Sequence, residues 1–138
     1  MAQPARADDN VAVVSQFLEA LAVPDTDRAL ALLATEIEWR NTGRPTIRGK
    51  RVFSMLRDME KRGVVFGVEI HAIAARGDIV LTDRTDYLRK GPLKTGFWVR
   101  GPFTVHDGLS TIWDDAVSLA NVLRGFVKHS PRTASPGA

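Results

Sequence analysis

The chemistry that this sequence offers rests on four polar residues: Asn41, Arg84, Asp86 and Asp115. Two aspartates and an arginine form a set whose charges pair with one another once a fold brings them together. Carboxylates sharing one apolar site titrate as a coupled pair, and one of them keeps a proton. An acid and a base then come from identical residue types. An arginine can hold both, because its guanidinium presents five N–H donors in a rigid fork. The spacing supports a common direction. Val80, Thr82, Arg84, Asp86 and Leu88 alternate along one strand-like run, and alternate residues of a strand share a face. Ile37, Trp39 and Asn41 form a second such set, and Thr111, Trp113, Asp115 and Val117 a third. Asn41 and Asp115 are thus polar members of apolar, inward-looking rows. A plainer reading stands beside this one. Arg84 and Asp86 also suit an ordinary ion pair on an exposed strand, and Asp114-Asp115 a solvated strand end or a helix cap.

What the chain lacks narrows the options further. None of its 138 residues is cysteine, which removes disulfides, thiolate nucleophiles and sulfur-ligated zinc. Three scattered histidines, His71, His106 and His129, do not make a metal cluster. Neither a metal nor an organic cofactor is expected. Nineteen Lys+Arg against sixteen Asp+Glu leave a net charge of +3, with an isoelectric point near 9.7. The basic groups at Arg44/Arg48/Lys50/Arg51, Lys61/Arg62 and Arg89/Lys90 are interrupted by acids or apolar residues. Nucleic acid demands a continuous basic stripe with aromatics to stack bases, so no nucleic-acid partner is expected. No apolar run reaches the ~18 residues of a membrane span, and residues 1–9 carry no apolar signal region. Together these predict a cytoplasmic protein without a membrane partner.

The elements that must position the four residues follow from periodicity. Residues 1–9 and 130–138 have the composition of disordered tails, leaving one domain at 10–129. Asp9 or Asn10 caps a helix whose apolar positions are Val11, Val14, Phe17, Leu18 and Leu21, and Pro24 stops it. Asp25 or Thr26 starts a shorter helix through Leu30 and Leu33. A strand spans 36–41, followed by a turn at 42–45 and a third helix at about 49–62 that Gly63 ends. Strands at 64–70, 79–88, 96–105 and 109–116 follow, the last pair joined at Asp107-Gly108, a hairpin signal. A final helix covers about 117–128. The order α-α-β-α-β-β-β-β-α predicts an α+β domain: a curved, mostly antiparallel sheet with helices on one side, enclosing a pocket.

At these residues the chain resembles the limonene-1,2-epoxide hydrolase family. The resemblance is carried by Thr46-Ile-Arg-Gly49, by Val80-Leu-Thr-Asp-Arg-Thr-Asp86, by Gly91-Pro-Leu93 with Phe97-Trp-Val99, and by Thr111-Ile-Trp-Asp-Asp115. It runs from roughly residue 11 to 128. The family's Arg-x-Asp is matched by Arg84/Asp86, its Trp-x-Asp by Trp113/Asp115, and its strand-end asparagine by Asn41. The resemblance implies a cone-shaped fold like that of nuclear-transport-factor-2-like and polyketide-cyclase-like proteins, usually dimeric. It also implies one-step hydrolysis of a small or medium apolar epoxide to a vicinal diol. In that scheme Asp115 is the base for a water also held by Asn41, protonated Asp86 is the acid, and Arg84 holds both. Trp39, Trp113, Leu88 and Phe97 would line the substrate pocket. Two positions depart from the pattern. Trp39 stands where the family has a water-holding tyrosine, and an indole donates a hydrogen bond but accepts none. Asp114 replaces the arginine of Trp-Arg-Asp and by parity points away from the pocket.

Other residues receive plainer assignments. Phe66, Trp98 and Phe103 are core or wall, His71 and His106 belong to a strand edge and a turn, and Lys50/Arg51 solvate the third helix. Two other functions remain open. A substrate hydroxyl replacing water would close an ether ring or isomerise a polyketide-type epoxide. A degenerate pocket would leave a non-catalytic binding or dimerisation module.

Overall fold

A computed structural model describes residues 7–41 and 43–115. The helix expected at about 117–128, the tail at 130–138 and residues 1–6 of the expected N-terminal tail lie outside the described residues.

The first helix, α1 (Ala7–Ala22), buries Val14, Phe17, Leu18 and Leu21 along the stripe that its 3.6 period marks. It starts earlier than the capping residues suggested. Residues 7–9, expected within the tail, are its first turn, and Asp8 and Asp9 face the positive end of the helix dipole there. Asp25 caps the short α2 (Thr26–Leu30) by accepting from the Arg28 amide at 3.2 Å. Leu33, assigned by spacing to this helix, instead opens β1 (Leu33–Asn41). An apolar pair three residues apart suits a helix or a strand entry equally well. Pairing decides: the Ser110 amide donates to Leu32 O at 2.8 Å, and Leu33 stands opposite Ser110.

A two-residue edge strand that the periodicity did not signal, β2 (Ile47–Arg48), pairs with β1. The third helix, α3 (Lys50–Lys61), matches its expected span and buries Val52 and Leu56. It ends in paired return bonds from Gly63 N to Glu60 O and Val64 N to Met59 O, with Gly63 at a φ of 79° that a side chain would resist. The remaining strands are β3 (Val65–Arg76), β4 (Ile79–Lys90), β5 (Leu93–His106) and β6 (Leu109–Asp115). Three of them are longer than expected. Ala72, Ala74 and Ala75, weak strand formers by themselves, are held by pairing with Asp83, Leu81 and Val80 beyond a bulge at His71.

The sheet order is β2-β1-β6-β5-β4-β3. All neighbours are antiparallel except β1 and β6, so the first and last long strands meet side by side and parallel. Helices α1, α2 and α3 supply one layer and the sheet the other. Their shared core joins Phe17, Leu18, Leu56, Ile37, Val80, Phe103 and Trp113. Phe17 meets the Trp113 ring edge-on with centroids 5.0 Å apart. The α+β architecture and one-sided helices are as expected, with a mixed sheet.

Candidate active site

Strand alternation on β4 sends Val80, Thr82, Arg84 and Asp86 to the buried face, while Leu81 and Asp83 turn outward. On that face the Arg84 guanidinium is fully buried. A buried cation requires partners, and every part of its fork has one. Nε donates to Asp86 Oδ1 at 2.8 Å, and Nη2 to Asp86 Oδ2 at 3.3 Å. Nη2 also reaches Asp115 Oδ1 at 2.5 Å. Nη1 donates to Thr82 Oγ1 at 2.6 Å, and that hydroxyl donates onward to Gly101 O at 2.8 Å. The guanidinium carbon lies 5.5 Å from the Phe103 ring centre.

Asp115 arrives from β6, two strands away. Its Oδ1 accepts from Trp113 Nε1 at 2.8 Å and its Oδ2 from Trp39 Nε1 at 3.1 Å. The two indoles stack at 4.2 Å between centroids, tilted by 5°. The parallel register sets Trp39 opposite Trp113 and Asn41 opposite Asp115, so Asn41 shares a face with that carboxyl. β5 brings Phe97 opposite Asp86 and Thr95 opposite Leu88. Close approach of β5 to β6 depends on Gly101: a Cβ there would lie 1.8 Å from the Asp114 carbonyl oxygen.

Burial raises the Asp86 carboxyl to about 6, against the opposing pull of Arg84. Burial also raises Asp115, opposed by Arg84 and by the indoles of Trp39 and Trp113. Burial disfavours the charge on Arg84, but Asp115 and Asp86 outweigh it and its proton is held more firmly than usual. One cation between two buried carboxyls balances one negative charge, so the pair favours sharing a single proton.

The structure therefore brings Arg84, Asp86 and Asp115 into direct contact and sets Asn41 beside them. Of the residues expected to line a pocket, Leu88 and Phe97 are half-buried on the same face, as is Trp39. Trp113 is only 2% exposed and serves as a hydrogen-bonded floor beneath Asp115. Asp114, opposite Arg40, points to the other side. His71 pairs with Thr85 Oγ1 at 2.8 Å and His106 sits beside Asp78 and Asp107, both exposed and away from this cluster. Periodicity placed Thr82 on the site's face without a role; its hydroxyl is what holds the third arm of Arg84. Gly101 carried no signal, since a close backbone approach leaves none in the sequence.

The family model described as the limonene-1,2-epoxide hydrolase catalytic domain matches residues 8–128. Epoxide hydrolase EphG of Mycobacterium tuberculosis is 42% identical over 116 residues, covering 83% of this chain and 77% of the relative. A solved M. tuberculosis LEH-like epoxide hydrolase superposes with a TM-score of 0.83 at 40% identity, covering 88% of this chain and 91% of that one. An NTF2-like protein from Burkholderia xenovorans, 23% identical, superposes with a TM-score of 0.68 over 88% of this chain and 98% of its own, and shares the fold. By a family match spanning most of its length and a relative of 42% identity, the chain belongs to the limonene-1,2-epoxide hydrolase family.

Proposed function

We propose that this chain hydrolyses a small or medium apolar epoxide to a vicinal diol by one-step acid–base catalysis. The observation that carries the reading is the single guanidinium bridging two buried carboxyls, Asp86 through Nε and Nη2 and Asp115 through Nη2. Asp115 accepts three N–H donors, which favours its ionised form and makes it the base. Asp86 accepts from Arg84 alone among the described residues and burial raises its carboxyl, so of the two it keeps the shared proton and is the acid. Its longer contact, 3.3 Å from Oδ2 to Arg84, leaves that oxygen the better seat for the proton.

The step balances within the site. Asp115 takes a proton from water, whose oxygen bonds to a ring carbon as the carbon–oxygen bond of the epoxide breaks. Asp86 gives its proton to the departing oxygen. The diol leaves with Asp115 protonated and Asp86 ionised, and proton exchange with solvent resets the pair. Arg84 stays charged throughout and stabilises the negative charge as it passes from one carboxyl to the other. Asn41, beside Asp115 in register, holds the water. Positioned acid–base catalysis contributes about 10²–10⁴-fold per group.

A second reading has a specific support. Trp39 Nε1 donates to Asp115 Oδ2 and offers no acceptor for water. A hydroxyl on the substrate would then serve as nucleophile and close a cyclic ether. Incubation of the protein with an epoxide panel in ¹⁸O-labelled water separates the readings. Labelled diol is the expected product, and Asp86→Asn and Asp115→Asn should each lose at least about 10²-fold of the rate while folding normally. Unlabelled cyclic ether would establish the cyclase, and no turnover across the panel the binding module.

Among the described residues no helix is long and apolar enough to cross a membrane. We further propose a cytoplasmic homodimer that buries the outer face of the sheet. Leu81 and Trp98 stand there 57% and 45% exposed, beside Asp83 and Arg100. In a two-fold arrangement the acid and base of one copy can meet those of the other.

A further inference from the structure

Beyond Asp86, strands β4 and β5 carry the site's face onward to Leu88 and Thr95. The side chains on that stretch are apolar. Leu88 stands opposite Phe66, Val68 opposite Asp86, and Phe97 opposite Asp86 on the other side. Thr95 is the exception. It is 7% exposed, and among the described residues its Oγ1 is the buried side-chain nitrogen or oxygen that has no hydrogen-bond partner. An unpaired buried hydroxyl destabilises a protein, and such groups call for a cause. Valine would fill the same volume without that penalty. Thr82, on the neighbouring strand and the same face, shows the usual outcome: its hydroxyl both accepts and donates.

The register fixes where this free hydroxyl lies. Asp86 faces Phe97 and Leu88 faces Thr95, so Thr95 is the diagonal neighbour of Asp86 across the β4–β5 pair. Diagonal neighbours on one face stand about 7–8 Å apart.

We propose that Thr95 Oγ1 is a substrate-recognition group, hydrogen-bonding a second oxygen, an alcohol or a carbonyl, that the epoxide substrate carries at a separation from its ring oxygen set by these two residues, which stand about 7–8 Å apart on the strand pair. The assignment rests on the epoxide-opening role of Asp86 and defines the substrate class within it. The substrate is an apolar epoxide oxygenated once more at its far end. The hydroxyl is satisfied when substrate is bound, which is why a threonine stands unpaired in an apolar wall.

The test uses two matched cyclic epoxides that differ only in a hydroxyl placed at that separation, with wild type, Thr95→Val and Thr95→Ser. Wild type should favour the hydroxylated epoxide by about tenfold in kcat/KM, the worth of one neutral hydrogen bond, mostly through KM. Thr95→Val should bring the ratio close to one with an unchanged or higher Tm, and Thr95→Ser should restore the preference. A purely structural hydroxyl would do the reverse: a lower Tm in Thr95→Val with the ratio kept overturns the assignment. Equal turnover of both epoxides by wild type also overturns it while leaving the hydrolase reading intact. Failure of wild type to open either epoxide removes both.

Discussion

Charge compensation governs the site at the residue scale. Arg84 is fully buried and touches two carboxyls, so the net charge of the trio depends on a single proton. Asp86, raised to about 6 by burial, holds that proton more firmly in the folded chain than in the unfolded one. Between about pH 4 and pH 6 the folded state therefore binds more protons, and its stability falls as pH rises through that window. The contribution is present below the unfolded value and is lost as pH passes about 6. Urea denaturation of wild type and Asp86→Asn across this range should show a steeper slope in the former than in the latter. Hydrolysis should likewise decline above about pH 6, because Asp86, the proposed acid, is then unprotonated. Thr82 belongs to the same account. Its hydroxyl takes the Nη1 arm of Arg84 and passes the bond to Gly101 O. Thr82→Val should lower stability by roughly 1.5–3 kcal/mol, since a bond to a charged group is lost, and reduce kcat by about tenfold. Thr82→Ser should keep most of both, as chemical denaturation and steady-state rates would show.

Strands decide whether these residues meet. Alternation on β4 was legible from Val80 to Leu88, because a period of two survives whatever the partner strand is. The same held for Trp39/Asn41 and Trp113/Asp115. Strand ends were less legible. Leu33 moved from helix to strand and Ala72–Ala75 joined β3, since both depend on partners far along the chain. Gly101 is the clearest case. Nothing in its neighbours marks it, yet β6 approaches so closely that only a residue without a side chain fits. Gly101→Ala should force β5 and β6 apart beside Asp115, costing roughly 3 kcal/mol or more by overpacking. Thermal unfolding would report the loss. Epoxide turnover should fall further than stability does, because Asp115 follows the displaced backbone.

The whole molecule presents two different sheet faces. Helices cover the inner one, while the outer one leaves Leu81, Ile79 and Trp98 exposed. Leu81→Arg should convert the proposed dimer to monomer in sedimentation velocity, with the acid–base cluster on the opposite face unaffected. By itself the sequence determined the local terms: most of the elements among the described residues, which face β1, β4 and β6 bury, and the carboxylates, arginine and amide proposed to carry the chemistry in a chain without cysteine. Those properties depend on period and residue type, which act over a few positions. The tertiary structure decided the parallel meeting of β1 with β6, which puts Trp39 on Trp113 and Asn41 beside Asp115. It also decided that each nitrogen of Arg84 finds a partner and that the hydroxyl of Thr95 does not. These depend on contacts between residues dozens of positions apart, and a hydrogen-bond ledger closes only when the last strand has taken its place in the sheet.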